Sequence, residues 1–149
     1  MSGVRRWILN WLLVLIVFAL VDAGWIMGVV MPIYRRELGD VMAASVDSGS
    51  ALAFYLLFCA GLTYFGLAPQ KQGVPVKQRI INSALYGLFT YATWALTLKV
   101  VLGKVSWALV LGDILWGIAL CGVVSGITML ISYQLGKLSQ RKALNHEKD

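Results

Sequence analysis

Two carboxylates are the residues best placed to do chemistry in this sequence, because no other acids lie inside its long apolar runs. Asp22 falls within FALVDAGWIMGVV and Asp113 within LGDILWG. A charged side chain at the centre of a bilayer costs about 3 kcal/mol on insertion scales, so such residues face protein or a cavity and often mark function. The alternative is that both acids only join helices through polar contacts worth about 1 kcal/mol each.

Each acid begins the same pattern, Asp-x-x-Trp, as Asp22 with Trp25 and Asp113 with Trp116. A spacing of three residues puts both side chains on one helical face. If the two helices run antiparallel, Trp25 and Asp113 lie at one depth, and Asp22 and Trp116 lie about one turn deeper. The pattern therefore predicts a crossed pairing, in which each carboxylate accepts a hydrogen bond from the indole N–H of the other helix.

Further polar and aromatic residues fall in the same half of the apolar runs and predict a small pocket. The candidate lining residues are Asp22, Trp25, Tyr55, Tyr91, Trp94, Thr97, Lys99, Asp113 and Trp116. Two roles stay open for Lys99, which can reach the headgroups with its amine or serve as counter-ion to Asp113 or Asp22. For Trp and Tyr the alternative role is an aromatic belt at the membrane surface.

Composition indicates the elements that must position these residues. The 149-residue chain is 59% hydrophobic and only 13% charged, with a mean hydropathy of +0.75, whereas a soluble domain carries about 25% charged residues. Four segments reach the roughly 20 apolar residues that a transmembrane helix needs, at about 7–31, 50–68, 80–102 and 106–133. We therefore predict an all-α integral membrane protein, a single up-down bundle of four transmembrane helices.

The distribution of basic residues predicts the orientation of this bundle. Nine of the 13 Lys and Arg residues fall at the N-terminus, between the second and third spans, or in the charged tail 134–149. Because Lys and Arg favour the cytoplasmic side, both termini are predicted to be cytoplasmic in a multi-pass inner-membrane protein. Arg5 and Arg6 resemble the start of a signal peptide, but the apolar run that follows is span-length, so we expect it to be retained.

The net charge of +6 does not indicate nucleic-acid binding, because the basic residues lie at the ends of apolar runs. Small residues at spacing four predict close helix packing, with a homodimer seam through Gly24/Gly28 or Gly122/Gly126 as the alternative. A third such pair is Ser83 with Gly87.

Conventional catalytic and metal-binding motifs are missing from the sequence. Cys59 and Cys121 lie in apolar runs, which suits packing, and the single histidine, His146, lies in the tail. The sequence has no P-loop, dinucleotide fingerprint or GxSxG motif. We predict no cofactor and no metal site, and the sequence leaves open whether the protein is an enzyme. Residues 34–39, YRRELG, predict a short interfacial helix over the outer end of the bundle.

Four stretches of the chain resemble a family of small bacterial membrane proteins known as domain of unknown function 2177. They are VDAGWIMGVVMPIYRRELG, FYLLFCAGLTYF, ALYGLFTYATWALT and LGDILWG, and the resemblance covers residues from about 15 to 130. It implies a four-span membrane protein without an assigned activity. The family pattern usually has an aspartate and an asparagine in the third helix where this chain has Ala95 and Leu98, so one polar anchor of the presumed site is absent here.

Three functions are compatible with these residues. The first is a pocket that binds a membrane lipid or a small amphiphile, with Asp22 and Asp113 as polar groups and Trp25, Trp94 and Trp116 as walls. The second is a proton-coupled small-molecule transporter that works as a dimer. The third is a non-catalytic membrane scaffold, in which the acids only hold helices together.

Overall fold

The computed structural model describes residues 3–69 and 71–146, and in this part of the chain it contains helices and no strands. Of the described residues, 85% are helical. Its α-helices are α1 (Gly3–Trp25), α2 (Met31–Leu38), α3 (Ser48–Gly61), α4 (Val76–Val101) and α5 (Trp107–His146). A π-helical segment joins α1 to α2 (Ile26–Val30), and a second one extends α3 (Leu62–Leu67).

Four helical stretches are long and apolar enough to cross a membrane, at Gly3–Leu38, Ser48–Leu67, Val76–Val101 and Trp107–Leu138. The predicted all-α fold with four spans is therefore confirmed. Most helices run past the apolar segments seen in the sequence, because polar residues at a span end can continue a helix. The side chains of the tail at 141–149, including His146, lie outside the described residues.

The first helix passes through Pro32, which follows the predicted span 7–31 and is a residue type that normally ends a helix. Proline has no N–H to donate and normally breaks a helix interior at a cost of about 3 kcal/mol or more. Here the π-helical segment precedes it, and the N–H of Met31 bonds to the carbonyl of Ile26, five residues back. Such local changes of hydrogen bonding let a helix carry a proline. The chain from Gly3 to Leu38 is therefore one continuous helix.

The closest helix pair is α4 with α5. A Cβ atom added at Gly87 would collide with the backbone carbonyl of Gly117, and one added at Gly117 would collide with the Tyr91 ring. Ser83 is fully buried and accepts a 2.7 Å hydrogen bond from the hydroxyl of Ser125, while its own hydroxyl donates to the carbonyl of Arg79. The packing predicted for Ser83 and Gly87 thus occurs within the chain.

The other small-residue pairs face differently. A Cβ at Gly24, Gly28 or Gly126 would meet no atom of the described chain within 4 Å, and one at Gly122 would only touch α4. The homodimer seam remains a prediction.

Residues at one end of the bundle hold α2 over the connection between α4 and α5, and we call this the α2 end. Leu38 packs into a small core with Ala95, Val105, Leu109 and Val110. Ser106 donates to both carboxylate oxygens of Glu37, with its N–H at 3.0 Å and its hydroxyl at 2.9 Å. Asp40 also pairs with Lys104. These contacts hold the end of the continuous helix Gly3–Leu38 against the connection between α4 and α5, so residues 34–39 are not the separate interfacial helix that the sequence predicted.

Arg79 fixes the opposite end, where α3 turns into α4. Its guanidinium donates to the carbonyls of Leu67, Ala68 (2.6 Å), Lys71 (2.6 Å) and Val74 (3.2 Å). Ala68 adopts the left-handed conformation, with φ of 44°. A single side chain therefore satisfies carbonyls that the end of a helix leaves open.

Candidate functional site

A cleft of about 730 Å³ lies between α3 and α4 on the side of the bundle towards the α2 end. The π-helical segment after α3 packs on α4, with Gly66 against Ser83, whereas α3 itself packs on α1, with Tyr55 and Phe58 against Phe18. The wedge between α3 and α4 is the cleft. Its lining residues are Asp22, Trp25, Ile26, Val30, Met31, Tyr34, Ser50, Phe54, Phe58, Thr90, Tyr91, Trp94, Asp113 and Trp116.

Asp22 lies at the back of the cleft and is only 4% exposed. Its Oδ1 accepts a hydrogen bond from the indole N–H of Trp116 at 3.3 Å, and its Oδ2 accepts one from the hydroxyl of Tyr55 at 3.2 Å. Three helices therefore meet at this carboxylate. The predicted contact between Asp22 and Trp116 is confirmed.

The second predicted contact, from Trp25 to Asp113, is wrong. Asp113 is 6% exposed and accepts a 3.1 Å hydrogen bond from the hydroxyl of Tyr34. Trp25 instead stacks on Trp116, with ring centroids 4.2 Å apart and planes 7° from parallel. The prediction failed because it ended the first helix near Met31. The helix in fact continues to Leu38 and brings Tyr34 to Asp113.

The stacking leaves the indole N–H of Trp25 without a bond. This atom is buried and has no hydrogen-bond partner among the described residues. Trp25 also lines the cleft, so this unsatisfied donor belongs to a side chain of the cleft wall.

The other candidate residues divide into two groups. Tyr91 and Trp94 line the cleft, and Tyr55 supports it through Asp22. Thr97 is exposed and does not line it. Lys99 points elsewhere, because its amine donates to the carbonyl of Val105 at 2.7 Å and lies 4.9 Å from the centre of the Trp107 ring. The predicted role of Lys99 as counter-ion is thus not present.

Sequence reasoning missed the wall that α3 and α2 provide. Phe54 and Phe58 are four residues apart on α3 and form one side of the cleft, and Ser50 continues the same face towards the α2 end. This spacing was visible in the sequence as an aromatic stripe. Tyr34 gave no comparable signal, because Pro32 separated it from the first span.

The cleft is acidic and aromatic. In the part of the chain that the structure describes, no Lys or Arg forms an ion pair with Asp22 or Asp113. The same residues contain no group of three His, Cys, Asp or Glu side chains that could hold a metal. Hydrogen-bonded carboxylates with aromatic walls can bind a hydrogen-bond donor or a cation.

These four apolar helices define the class, a helical integral membrane protein. More specifically, the chain belongs to the family described as "Predicted membrane protein (DUF2177)", whose profile matches residues 7–130. The family resemblance seen in the sequence is therefore confirmed. No curated protein and no solved structure matches the chain.

Proposed function

We propose that the protein binds a membrane lipid or a small amphiphile in the cleft between α3 and α4. The observation that carries the proposal is an apolar cavity of about 730 Å³ with two buried carboxylates at its back. Ligand sites commonly have volumes of about 300–1,000 Å³, mostly apolar walls and a few convergent polar groups.

The mouth of the cleft favours a ligand from the bilayer. Phe54 on α3 is 44% exposed and Trp94 on α4 is 57% exposed, so the two rims of the cleft turn apolar rings outwards. α2 covers the end of the bundle. An acyl chain in the surrounding lipid can enter sideways between the rims, while its polar head reaches the carboxylates.

Native mass spectrometry of the purified protein tests this proposal. We expect co-purified lipid on the unmodified protein and at least a several-fold loss of it in Trp25→Ala and Phe54→Ala. Leu57→Ala is the matched control, because Leu57 is a 74% exposed apolar residue on the same helix as Phe54 and does not line the cleft.

Other outcomes would favour the alternative functions. Equal lipid retention in all three variants would contradict the proposal and favour a scaffold. Substrate-dependent proton release that disappears in Asp22→Asn would indicate a proton-coupled transporter.

We also propose that the protein lies in the inner membrane with both termini in the cytoplasm. The support is the excess of Lys and Arg in the sequence at the end of the bundle opposite α2. A reporter enzyme that works only outside the cytoplasm can be fused to either terminus. Activity of such a fusion would contradict this orientation.

A further inference from the structure

We infer that the head of the bound amphiphile is a protonated primary amine, held between Asp22 and Asp113. This inference rests on the proposed function, because it assigns the chemistry of a ligand in the same cleft. The first reason is the uncompensated charge of the cleft. Both acids are buried and line one cavity, and among the described residues no basic side chain forms an ion pair with either.

Lys99 on α4 does not supply the missing positive charge. Lys99 bonds to the carbonyl of Val105 and lies over Trp107. A head that carries only a phosphate or a carboxylate would face two acids without a compensating charge, whereas a head that carries an ammonium group would supply the charge that the cleft lacks.

Hydrogen bonding gives the second reason. Three side chains already donate to the acids, since Tyr55 and Trp116 donate to Asp22 and Tyr34 donates to Oδ2 of Asp113. Oδ1 of Asp113 accepts no hydrogen bond from any described residue. A primary ammonium has three N–H donors and no acceptor, so it suits this oxygen in a way that a quaternary ammonium does not.

The aromatic rings give the third reason. The stacked pair Trp25 and Trp116 stands beside Asp22, and Tyr91 and Trp94 line the same space. The face of an indole attracts a nearby cation, and the effect is larger where water is excluded.

Two sources can supply this chemistry, namely an aminophospholipid of the bilayer or a free long-chain amine. The first experiment is isothermal titration calorimetry of the protein in maltoside micelles, with protein-free micelles as the baseline. We expect dodecylammonium to bind at least about tenfold more tightly than dodecanol. Asp113→Asn should remove most of this difference, because the amide keeps an acceptor for Tyr34 but carries no charge.

The matched control is Asp40→Asn, which removes an exposed acid outside the cleft. It should keep the preference for the amine. Equal affinity for dodecylammonium and dodecanol on the unmodified protein would overturn the inference without any variant. If Trp25→Ala then still loses both ligands, the proposed cleft function survives although the amine does not.

A second experiment separates the sources. The protein is reconstituted in nanodiscs of equal phosphatidylethanolamine and phosphatidylglycerol and is then released for native mass spectrometry. Retained phosphatidylethanolamine identifies the lipid headgroup as the source, and binding of dodecylammonium without retained phospholipid identifies a free amine. Selective retention of the anionic phosphatidylglycerol would overturn the inference.

Discussion

The two faces of α4 are built in opposite ways. Towards α5, Gly87 allows the helix to touch the backbone at Gly117. Towards α3, the ring of Trp94 faces Phe54 across a cleft. Tyr91 lies between the two faces, packed against Gly117 and edge to face with Phe58 at a centroid distance of 5.9 Å. Small residues bring backbones together and gain dispersion contacts, which drive helix association in lipid. Large rings on splayed helices leave a cavity. The same helix thus provides stability on one face and a binding surface on the other.

The largest expected effect on stability comes from adding a Cβ atom at the close contact between α4 and α5. Gly87→Ala places a Cβ against a backbone carbonyl, which cannot move aside as a flexible side chain can. We expect a loss of about 3 kcal/mol or more in the free energy of unfolding, measured in micelles by circular dichroism against denaturant. Gly126→Ala is the control, because it meets no neighbour within 4 Å and alanine favours the helix. Equal stability of both variants would contradict the comparison.

A smaller loss in the free energy of unfolding is expected at the turn from α3 to α4, which Arg79 holds together. Arg79→Ala leaves the carbonyls of Leu67 and Ala68 without their donor, and we expect a cost of about 2 kcal/mol. Arg79→Lys should recover only part of it, because an ammonium lacks the planar fork of the guanidinium. Lys77→Ala, an exposed neighbour, should change little. The unfolding temperatures of the three variants test this order of stability.

The next effect concerns the polar contacts at the back of the cleft. A double-mutant cycle of Asp22→Ala and Trp116→Phe should give a coupling of about 1 kcal/mol, as should Asp113→Ala with Tyr34→Phe, because each single variant removes the hydrogen bond. The cycle of Asp113→Ala with Trp25→Phe should be additive, because these side chains form no hydrogen bond. Coupling in this third cycle, or its absence in the first two, would show that the arrangement of the carboxylates is different.

The smallest effect is expected at the mouth of the cleft, where α3 begins. Asp47 caps this helix, accepting from the N–H of Gly49 at 3.0 Å and from the hydroxyl of Ser50 at 2.5 Å. These bonds hold the pKa of the exposed Asp47 below its ordinary value of 3.8. The cap therefore contributes stability above that pH and loses it as the pH falls through the lowered pKa.

Asp47→Ala tests this cap. It should lower the unfolding temperature slightly at neutral pH and have less effect at a pH well below 3.8, whereas Asp47→Asn should keep most of the cap. A pH-independent difference between Asp47→Ala and the unmodified protein would contradict the assignment.

Sequence predicted the parts of this molecule that depend on local pattern. Apolar length indicated the four helices, and the spacing of Asp22 and Trp116 indicated one of the two contacts at the acids. It failed where the outcome depends on backbone details that composition does not encode. Pro32 indicated a helix end, yet a change of hydrogen bonding at Ile26–Val30 carries the helix past it and replaces Trp25 with Tyr34 at Asp113.

Side-chain orientation was the other limit. Lys99 lies at a depth suitable for an ion pair with the acids, but the turn after α4 offers the carbonyl of Val105 closer by. The splaying of α3 from α4 was equally beyond a pattern of residue types, because it depends on how the whole of α3 packs on α1.

The π-helical segment at Ile26–Val30 also has a consequence for how this gene can change. A π turn holds one residue more than the α turn it replaces, and each residue turns an α-helix by about 100°. Deletion of Gly28 would leave an ordinary α turn in place of the π turn, and since both complete one full turn, Tyr34 would keep the side of the helix from which it reaches Asp113. Deletion of a residue from the regular part of α1 would instead turn everything that precedes it by about 100° relative to Tyr34. The π-helical segment is thus the place where the gene can lose one codon between Asp22 and Tyr34 and keep both residues at the cleft.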